Sequence, residues 1–339
     1  MRRVLRAVQY TFAAGAISVL VLAGWFSIQF NTTADSAGKT VLFEVEEGWH
    51  AGQIADSLAK QGIITRRWPF LLGYRLFFSG QSLKAGEYRL KTPLSPKQVI
   101  RTLVRGQVLL YPMTIPEGLT RRETAQHLNK AYAVDIEAFL AAGADPGPAR
   151  EWDAEAADLE GYLLPETYHF PKEVTPAEIV EAMVGQFRSV FTEGWIQRAS
   201  DMGLSVREVV ILASLVEKET SSGDERRLVS AVFHNRRRIG MKLDCDPTIV
   251  YALKQTDSYT GRLRTKDLKL DSPYNTYLYP GLPPGPIANP GSAALEAALY
   301  PEDVDFLYFV SRNDGSHQFS RTYRDHINAV NKYQRRRSP

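Results

Sequence analysis

Between Arg6 and Asp35 the chain carries no charged residue, and the stretch "AVQYTFAAGAISVLVLAGWFSIQFNTT" is apolar through most of its length. A helix needs about 20 such residues to cross a hydrocarbon core ~30 Å thick. Arg2, Arg3 and Arg6 precede the run, and the first base after it is Lys39. The excess of positive charge on the short N-terminal side predicts a single-pass anchor over 7–30 with residues 1–6 in the cytoplasm and everything after the span outside it. A cleaved signal peptide is the competing reading, with "ADSAG" at 34–38 as its cleavage site. Its apolar region would be ~7–15 residues long, shorter than this one.

The rest of the chain is globular in composition. Charged residues make up 23% of the 339, and 41 Lys and Arg stand against 38 Asp and Glu, a net charge of +3 that excludes an electrostatic nucleic-acid binder. The one cysteine, Cys245, has no internal partner, so the part beyond the anchor must be stable through its core alone. A single thiol in an exported chain fits a bacterial envelope protein better than a disulfide-dense secreted module. No His/Cys/Asp cluster has metal-ligand spacing, so no metal or other cofactor is expected.

A polar linker over 31–40 leads into an internal repeat. "VEEGWHAGQIADSLAKQGII" from Val45 and "IPEGLTRRETAQHLNKAYAV" from Ile115 align at an offset that pairs Glu47-Gly48 with Glu117-Gly118, Ala55 with Ala125 and Leu58 with Leu128. Each copy reads as a strand, a tight Glu-Gly turn and an amphipathic helix. Between them "LKAGEYRLKTPLSPKQVIRTLVRGQV" reads as strand, Pro-bounded turn, helix and Gly stop. The fold class expected is α+β: one transmembrane helix, a small α/β module over 41–108, a larger mixed α/β body over 109–333 and a basic tail over 334–339. In the larger body, 144–176 reads as an ordered irregular connection. A helix over "PAEIVEAMVGQFRSVFTEGW" follows it, and then a helix that ends in "ILASLVEKET".

That last helix is the informative one. Ser205 and Glu208 have capping-box spacing, so the helix starts near Val206, with Gly223 as its expected stop. Glu217 then falls near the C-terminus, on the stripe that runs back through Ser214, Ala213, Val210 and Val206. Apolar surroundings and the negative pole of the helix both disfavour a charged carboxylate, so its pKa should rise towards that of a general acid. Glu219 lies about 200° round the helix and forms no same-face pair with it. On the helix alone, Glu217 is either this acid or a polar helix end that meets water or a base.

Three segments dense in Tyr, Asn, Pro and Gly read as the walls of a saccharide cleft: "LEGYLLPETYHF" at 159–170, "HNRRRIGMKLDCDPTIVYAL" at 234–253 and "DSPYNTYLYPGLPPGPIANPGSAAL" at 271–295. Tyr faces stack on sugars and Asn amides bond hydroxyl and N-acetyl groups. The candidate substrate-binding residues are Glu160, Tyr162, Glu166, Tyr168, Ser214, Asn235, Asp246, Tyr251, Ser272, Tyr274, Asn275, Tyr277 and Asn289. Glu160 and Glu166 are the candidates for a second acidic role. His317 and His326 are read as core or surface histidines rather than acid/base groups.

These strings also carry a family resemblance. "ASLVEKET", "LEGYLLPETY", "CDPTIVYAL", "SPYNTYLYPGLPPGPIANPG" and "FLYFVSRNDGSHQFSRTYRDH", with the anchor and the Glu-Gly repeat, resemble the endolytic murein transglycosylases of the YceG-like family from the anchor to about Tyr333. The pattern departs from the family's at Asp244 and Cys245, where Cys245 is read as a small buried residue, while Asp246 and Pro247 match it. The resemblance implies a LysM-like small module and a YceG-like catalytic domain in a cell inner membrane protein facing the periplasm. It implies an enzyme that cuts peptidoglycan strands internally, between N-acetylmuramic acid and N-acetylglucosamine, to leave 1,6-anhydro ends. It places the family's catalytic glutamate on Glu217, and it implies glycan strands and the peptidoglycan synthases as partners. A muramidase-type hydrolase using Glu160, Glu166 or Asp246 as second carboxylate, and a non-catalytic glycan-binding scaffold, are the readings it competes with.

Overall fold

The computed structural model describes residues 2–34, 38–220 and 222–335, so Met1, part of the linker and most of the basic tail lie outside the described residues. The chain divides into two compact units, one of residues 1–112 with 169–173 and the other of 113–168 with 174–339.

The first unit begins with α1 (Arg2–Asn31), in which Arg6–Asn31 is long and apolar enough to cross a membrane. There follow β1 (Thr40–Val45), α2 (Ala51–Lys60), α3 (Arg67–Phe77), β2 (Gly86–Lys91) and α4 (Pro96–Arg105). β1 and β2 are antiparallel, with Thr40 opposite Lys91 and Val45 opposite Gly86. Phe43, Val45, Tyr88 and Leu90 alternate inward from this ribbon onto Ile54 and Leu58 of α2, Phe70 of α3 and Val99, Ile100 and Leu103 of α4. His50 and Ser95 close capping boxes at the starts of α2 and α4, and Gly106 ends α4 in the left-handed conformation. α3 is a helix beyond the elements read from the sequence. Its Gly73 is where α1 meets the module: a Cβ there would fall 2.1 Å from the Phe30 ring, and Phe30 is itself part of this core.

In the second unit the helices are α5 (Arg121–Tyr132), α6 (Ile136–Ala142), α7 (Pro176–Val190), α8 (Glu193–Asp201), α9 (Val206–Glu219), α10 (Arg226–Arg238), α11 (Asp246–Gln255), α12 (Ser292–Leu299) and α13 (Tyr323–Tyr333). Strands β3 (Tyr111–Thr114) and β4 (Thr167–Phe170), each with residues assigned to both units, form a second two-stranded sheet, and within the second unit β5 (Tyr308–Ser311) with antiparallel β6 (His317–Ser320) forms a third. Every residue of α9 from Val209 to Val216 is buried, so this helix is apolar all round and forms the centre of the unit, packed most extensively against α12. The mixed α+β class expected holds.

Two local expectations need correcting. The helix expected over 176–195 ends at Val190, because Thr192 starts α8. α9 stops at Glu219, with Thr220 extended at its end, so Gly223 opens a short 3-10 turn and caps nothing. Residues 234–253 are mostly helical: the end of α10, a short loop and then α11.

Candidate active site

The capping box forms as expected: Ser205 Oγ accepts from the Glu208 N–H, and the Glu208 carboxylate accepts from the Ser205 N–H at 2.9 Å. With that start, Glu217 occupies the last turn of α9. Its side chain is 6% exposed. One carboxylate oxygen accepts from the Gly291 N–H at 3.1 Å, and the other lies 3.7 Å from the Arg226 guanidinium. Burial raises the Glu217 pKa. The Gly291 hydrogen bond opposes this, Glu117 adds to it, and Arg226 and Lys218 oppose it. The net direction is upward, so a proton is held more tightly here than on an ordinary glutamate.

Glu117 and Gly118, from the second copy of the repeat, complete the surroundings. Arg226 reaches Glu117 at 3.2 Å as well as Glu217, and so stands between two carboxylates. Its Nε is buried and has no hydrogen-bond partner. Gly118 has a φ of 74°, and a Cβ there would be in ordinary contact with Glu217 Cγ at 3.4 Å. Gly291 is tighter still: a Cβ there would overlap Glu117 Oε1 at 1.9 Å. Lys218 Nζ donates to the Gly118 carbonyl at 2.8 Å. Glycine is thus favoured at 118 by its left-handed backbone, and a side chain at 291 would push the Glu117 carboxylate aside. Sequence reading treated Glu117 as a turn residue and overlooked Arg226. The only available hint was the repeated Glu-Gly pair, whose first copy, Glu47-Gly48, lies at an exposed turn.

Asn289 ties these pieces together. It is 1% exposed; its side-chain oxygen accepts from the Gly161 and Leu163 N–H groups at 2.8 and 3.2 Å, and its amide donates to the Leu119 carbonyl at 3.0 Å and to Glu160 at 3.4 Å. Its backbone pairs with Leu119 and Gly118 at 2.9 and 3.0 Å. Glu160 also accepts from the Arg121 N–H at 2.9 Å, and burial lifts its pKa to about 8.

The other expected residues separate into core and cleft. Tyr162 is 1% exposed and donates to Asp153 at 2.8 Å, Ser214 bonds the Ile211 carbonyl at 2.7 Å and accepts from Ile287, and Asn275 is fully buried with its amide on the Leu270 carbonyl at 2.7 Å. Asn235 holds the Val304 and Phe306 carbonyls at 2.7 and 3.0 Å. Tyr168 donates to the Leu164 carbonyl at 2.5 Å, and Ser272 accepts from the Tyr274 N–H at 3.3 Å. Glu166 is exposed, with its carboxylate turned back to the Thr167 N–H at 2.8 Å.

Tyr251 packs on the Tyr274 ring at 4.9 Å, and Tyr277 donates to Asp246 at 2.6 Å. Asp246 and Tyr251 line a cavity of about 300 Å³ that also takes in Lys218, the neighbour of Glu217, with Thr120, Glu123 and Lys254. Tyr251, Thr120 and Lys254 recur in a second cavity of about 440 Å³ bounded by Glu160, Arg121 and Asp158. Glu217 lines neither.

Glu219, on the other side of α9, is held with Cys245. The thiol hydrogen-bonds its carboxylate, and burial raises the glutamate to about 7 and pushes the thiol well up. Cys245 is fully buried, as read. His317 is bonded to Glu225 at 2.6 Å, and His326 stacks on Tyr308 at 5.2 Å. Among the described residues, no cluster of His, Cys, Asp and Glu could hold a metal ion.

Comparison with known proteins bears on this arrangement. The chain is 32% identical over 311 residues to the endolytic murein transglycosylase of Bacillus subtilis, covering 87% of this chain and 85% of that one. It is 28% identical to the endolytic murein transglycosylase of Streptococcus pneumoniae over 91% of its own length, and spans 62% of that longer protein. The crystal structure of a YceG-like protein from Listeria monocytogenes superposes with a TM-score of 0.58 at 29% identity, covering 85% of this chain and 98% of that one. Residues 43–332 match the YceG-like family, and the chain belongs to it.

Proposed function

We propose that this chain is an endolytic murein transglycosylase in which Glu217 is the one proton carrier. The observation that carries the assignment is the setting of Glu217: a 6% exposed carboxyl at the end of an apolar helix, with its pKa raised by burial and one N–H to hold it in place. The names of its relatives supply the substrate, murein glycan.

The protonated Glu217 gives its proton to the oxygen that joins N-acetylmuramic acid C1 to N-acetylglucosamine O4, and the C1–O bond breaks. As carboxylate it then takes the proton of the muramoyl C6 hydroxyl, whose oxygen closes on C1. A 1,6-anhydro end forms, no water enters, and Glu217 returns to its starting state. A hydrolase would need a second carboxylate to activate water. Of the neighbouring acids Glu117 is the one placed for that, because it shares Arg226 with Glu217. Mass spectrometry of fragments released from purified murein by the full chain separates the two. Anhydromuramoyl ends are the expected product. Reducing ends, one water heavier, would overturn the transglycosylase reading.

The same surroundings predict a pH response. Glu117 raises the Glu217 pKa and Arg226 lowers it. The acid form starts the reaction, so activity falls as pH rises through that pKa. Glu117→Gln should move the alkaline limb of the rate profile to lower pH and Arg226→Gln to higher pH. Limbs that stay put, or move together, would sink the acid role.

The remaining assignments belong to this reading. Residues 1–6 are cytoplasmic, α1 is an uncleaved inner-membrane anchor over 7–30, 31–40 is a linker, 41–108 is a LysM-like module and 109–333 is the catalytic domain in the periplasm. The Tyr251–Tyr274 pair and the Asp246–Tyr277 bond, beside the cavity that Lys218 lines, support a glycan cleft there. Peptidoglycan synthases, whose growing strands such an enzyme would shorten, are its expected partners.

A further inference from the structure

In the first unit, α1 does more than lead into the module. Val19, Leu22, Ala23, Phe26, Ser27 and Phe30 recur at helical spacing and form one wall of a groove of about 770 Å³. The opposite wall is the end of α3, where Leu72, Leu76 and Phe77 are 38%, 58% and 60% exposed. Such a cluster of large apolar side chains on an otherwise ordinary module marks an interaction surface. Phe77 packs on the rings of Phe26 and Phe30 at 6.3 and 5.8 Å, and Trp68 stacks on Trp25 at 4.8 Å.

The length of α1 says what covers this surface. From Arg6 to Asn31 the helix has 26 residues. At about 1.5 Å per residue that is roughly 39 Å, against a hydrocarbon core of about 30 Å. Counted from Arg6, the core is used up near Trp25, so the Trp25–Trp68 stack falls at the water interface, where tryptophan concentrates. The exposed end of α3 is packed beside this same turn of α1. The groove's only charged lining residues are Lys97 and Arg101, four apart on one face of α4. Neither forms an ion pair with another described residue.

We propose that this groove binds an anionic phospholipid of the outward-facing leaflet, with an acyl chain against Phe26, Leu76 and Phe77 and the phosphate at Lys97 and Arg101. The proposal rests on α1 spanning a membrane and is independent of the chemistry at Glu217. The site ties the module to the bilayer surface through two bases as well as through the anchor. Two bases at an anionic surface give a preference of about 30-fold over a neutral lipid, about fivefold each.

The test uses the full chain in phosphatidylcholine nanodiscs that contain a trace of phosphatidylglycerol, or of phosphatidylcholine, with a photoactivatable acyl chain. After illumination and digestion, the phosphatidylglycerol probe should label peptides from 67–78 as well as from 7–26. Labelling of 67–78 should drop about tenfold or more in a Lys97→Ala/Arg101→Ala variant and with the phosphatidylcholine probe, while labelling of 7–22 stays constant. Label on 7–26 with none on 67–78 would overturn the groove. Equal labelling of 67–78 by both probes would overturn the headgroup site, and cross-links between copies through α3 would assign the face to a second chain. Absence of label from both segments would remove the anchor itself, and the proposal with it.

Discussion

Glutamine at position 217 is expected to slow the formation of anhydromuramoyl ends by about 10²–10⁴-fold, the range that a positioned proton carrier contributes, without unfolding the protein. The glutamine side-chain oxygen can still accept the Gly291 N–H that Glu217 accepts at 3.1 Å, so the shape of the site is kept and only the transferable proton goes. Stability gives the control. The folded-state pKa of Glu217 is raised, burial being the main cause. Above the unfolded value the native state therefore holds more protons than the unfolded one, and this group lowers stability as pH rises through its folded pKa. Glu217→Gln removes that dependence and should melt at or above the wild-type temperature, by a margin that grows with pH up to the folded pKa of Glu217 and is constant above it. Loss of activity with an unchanged or higher melting temperature would mark a proton carrier. Activity within tenfold of wild type, or loss of activity together with a fall in melting temperature, would sink the assignment.

How much of this site could be read from the chain depends on how far each interaction reaches. The position of Glu217 is a local matter. The Ser205–Glu208 box sets where α9 starts and forms as expected, while burial runs all round the helix from Val209 to Val216 rather than along the one stripe read from the sequence. Glu219 is likewise on a different side, against Cys245. Local signals also marked the Glu-Gly turns of the repeat, where Gly48 and Gly118 have φ of 83° and 74°. They failed at Val190, where Thr192 starts a new helix within one apolar pattern.

Asn275, Asn289 and Tyr162 were read as sugar-binding because their residue types suit sugars. Each instead spends its hydrogen bonds inside the protein: Asn275 on the Leu270 carbonyl, Asn289 on Gly161 and Leu163, and Tyr162 on Asp153. An asparagine that grips a sugar and one that grips a backbone look the same in sequence. Arg226 escaped notice for a related reason. Its two carboxylate partners lie in different segments, at 117 and 217, and their convergence is a property of the tertiary fold.

Asn289→Ala tests whether that convergence depends on one buried amide. The side chain uses both of its amide hydrogens and both acceptor positions of its oxygen. Truncation leaves the Gly161 and Leu163 N–H groups without a partner in a buried site, at about 1–3 kcal/mol each, and opens a small void. A loss of roughly 2–5 kcal/mol corresponds to a fall of about 5–15 °C in melting temperature for a unit of this size. Gly291, two residues on, supplies the N–H that holds Glu217, so turnover should fall as well, even below the melting range. Asn289→Asp sharpens the test. It keeps the acceptor for Gly161 and Leu163 but sets a second carboxylate against Glu160, whose own pKa burial already lifts to about 8. The folded variant must then hold an extra proton that the unfolded chain releases above about pH 4–5. Its stability should decline with rising pH more steeply than wild type, by up to about 1.4 kcal/mol per pH unit. Melting curves of the two variants and wild type between pH 5 and 8 decide the matter. A drop of less than 2 °C for Asn289→Ala, or parallel pH dependence for Asn289→Asp and wild type, would mean that the strand-like pairing of Gly118 and Leu119 with residue 289 holds the site without the amide.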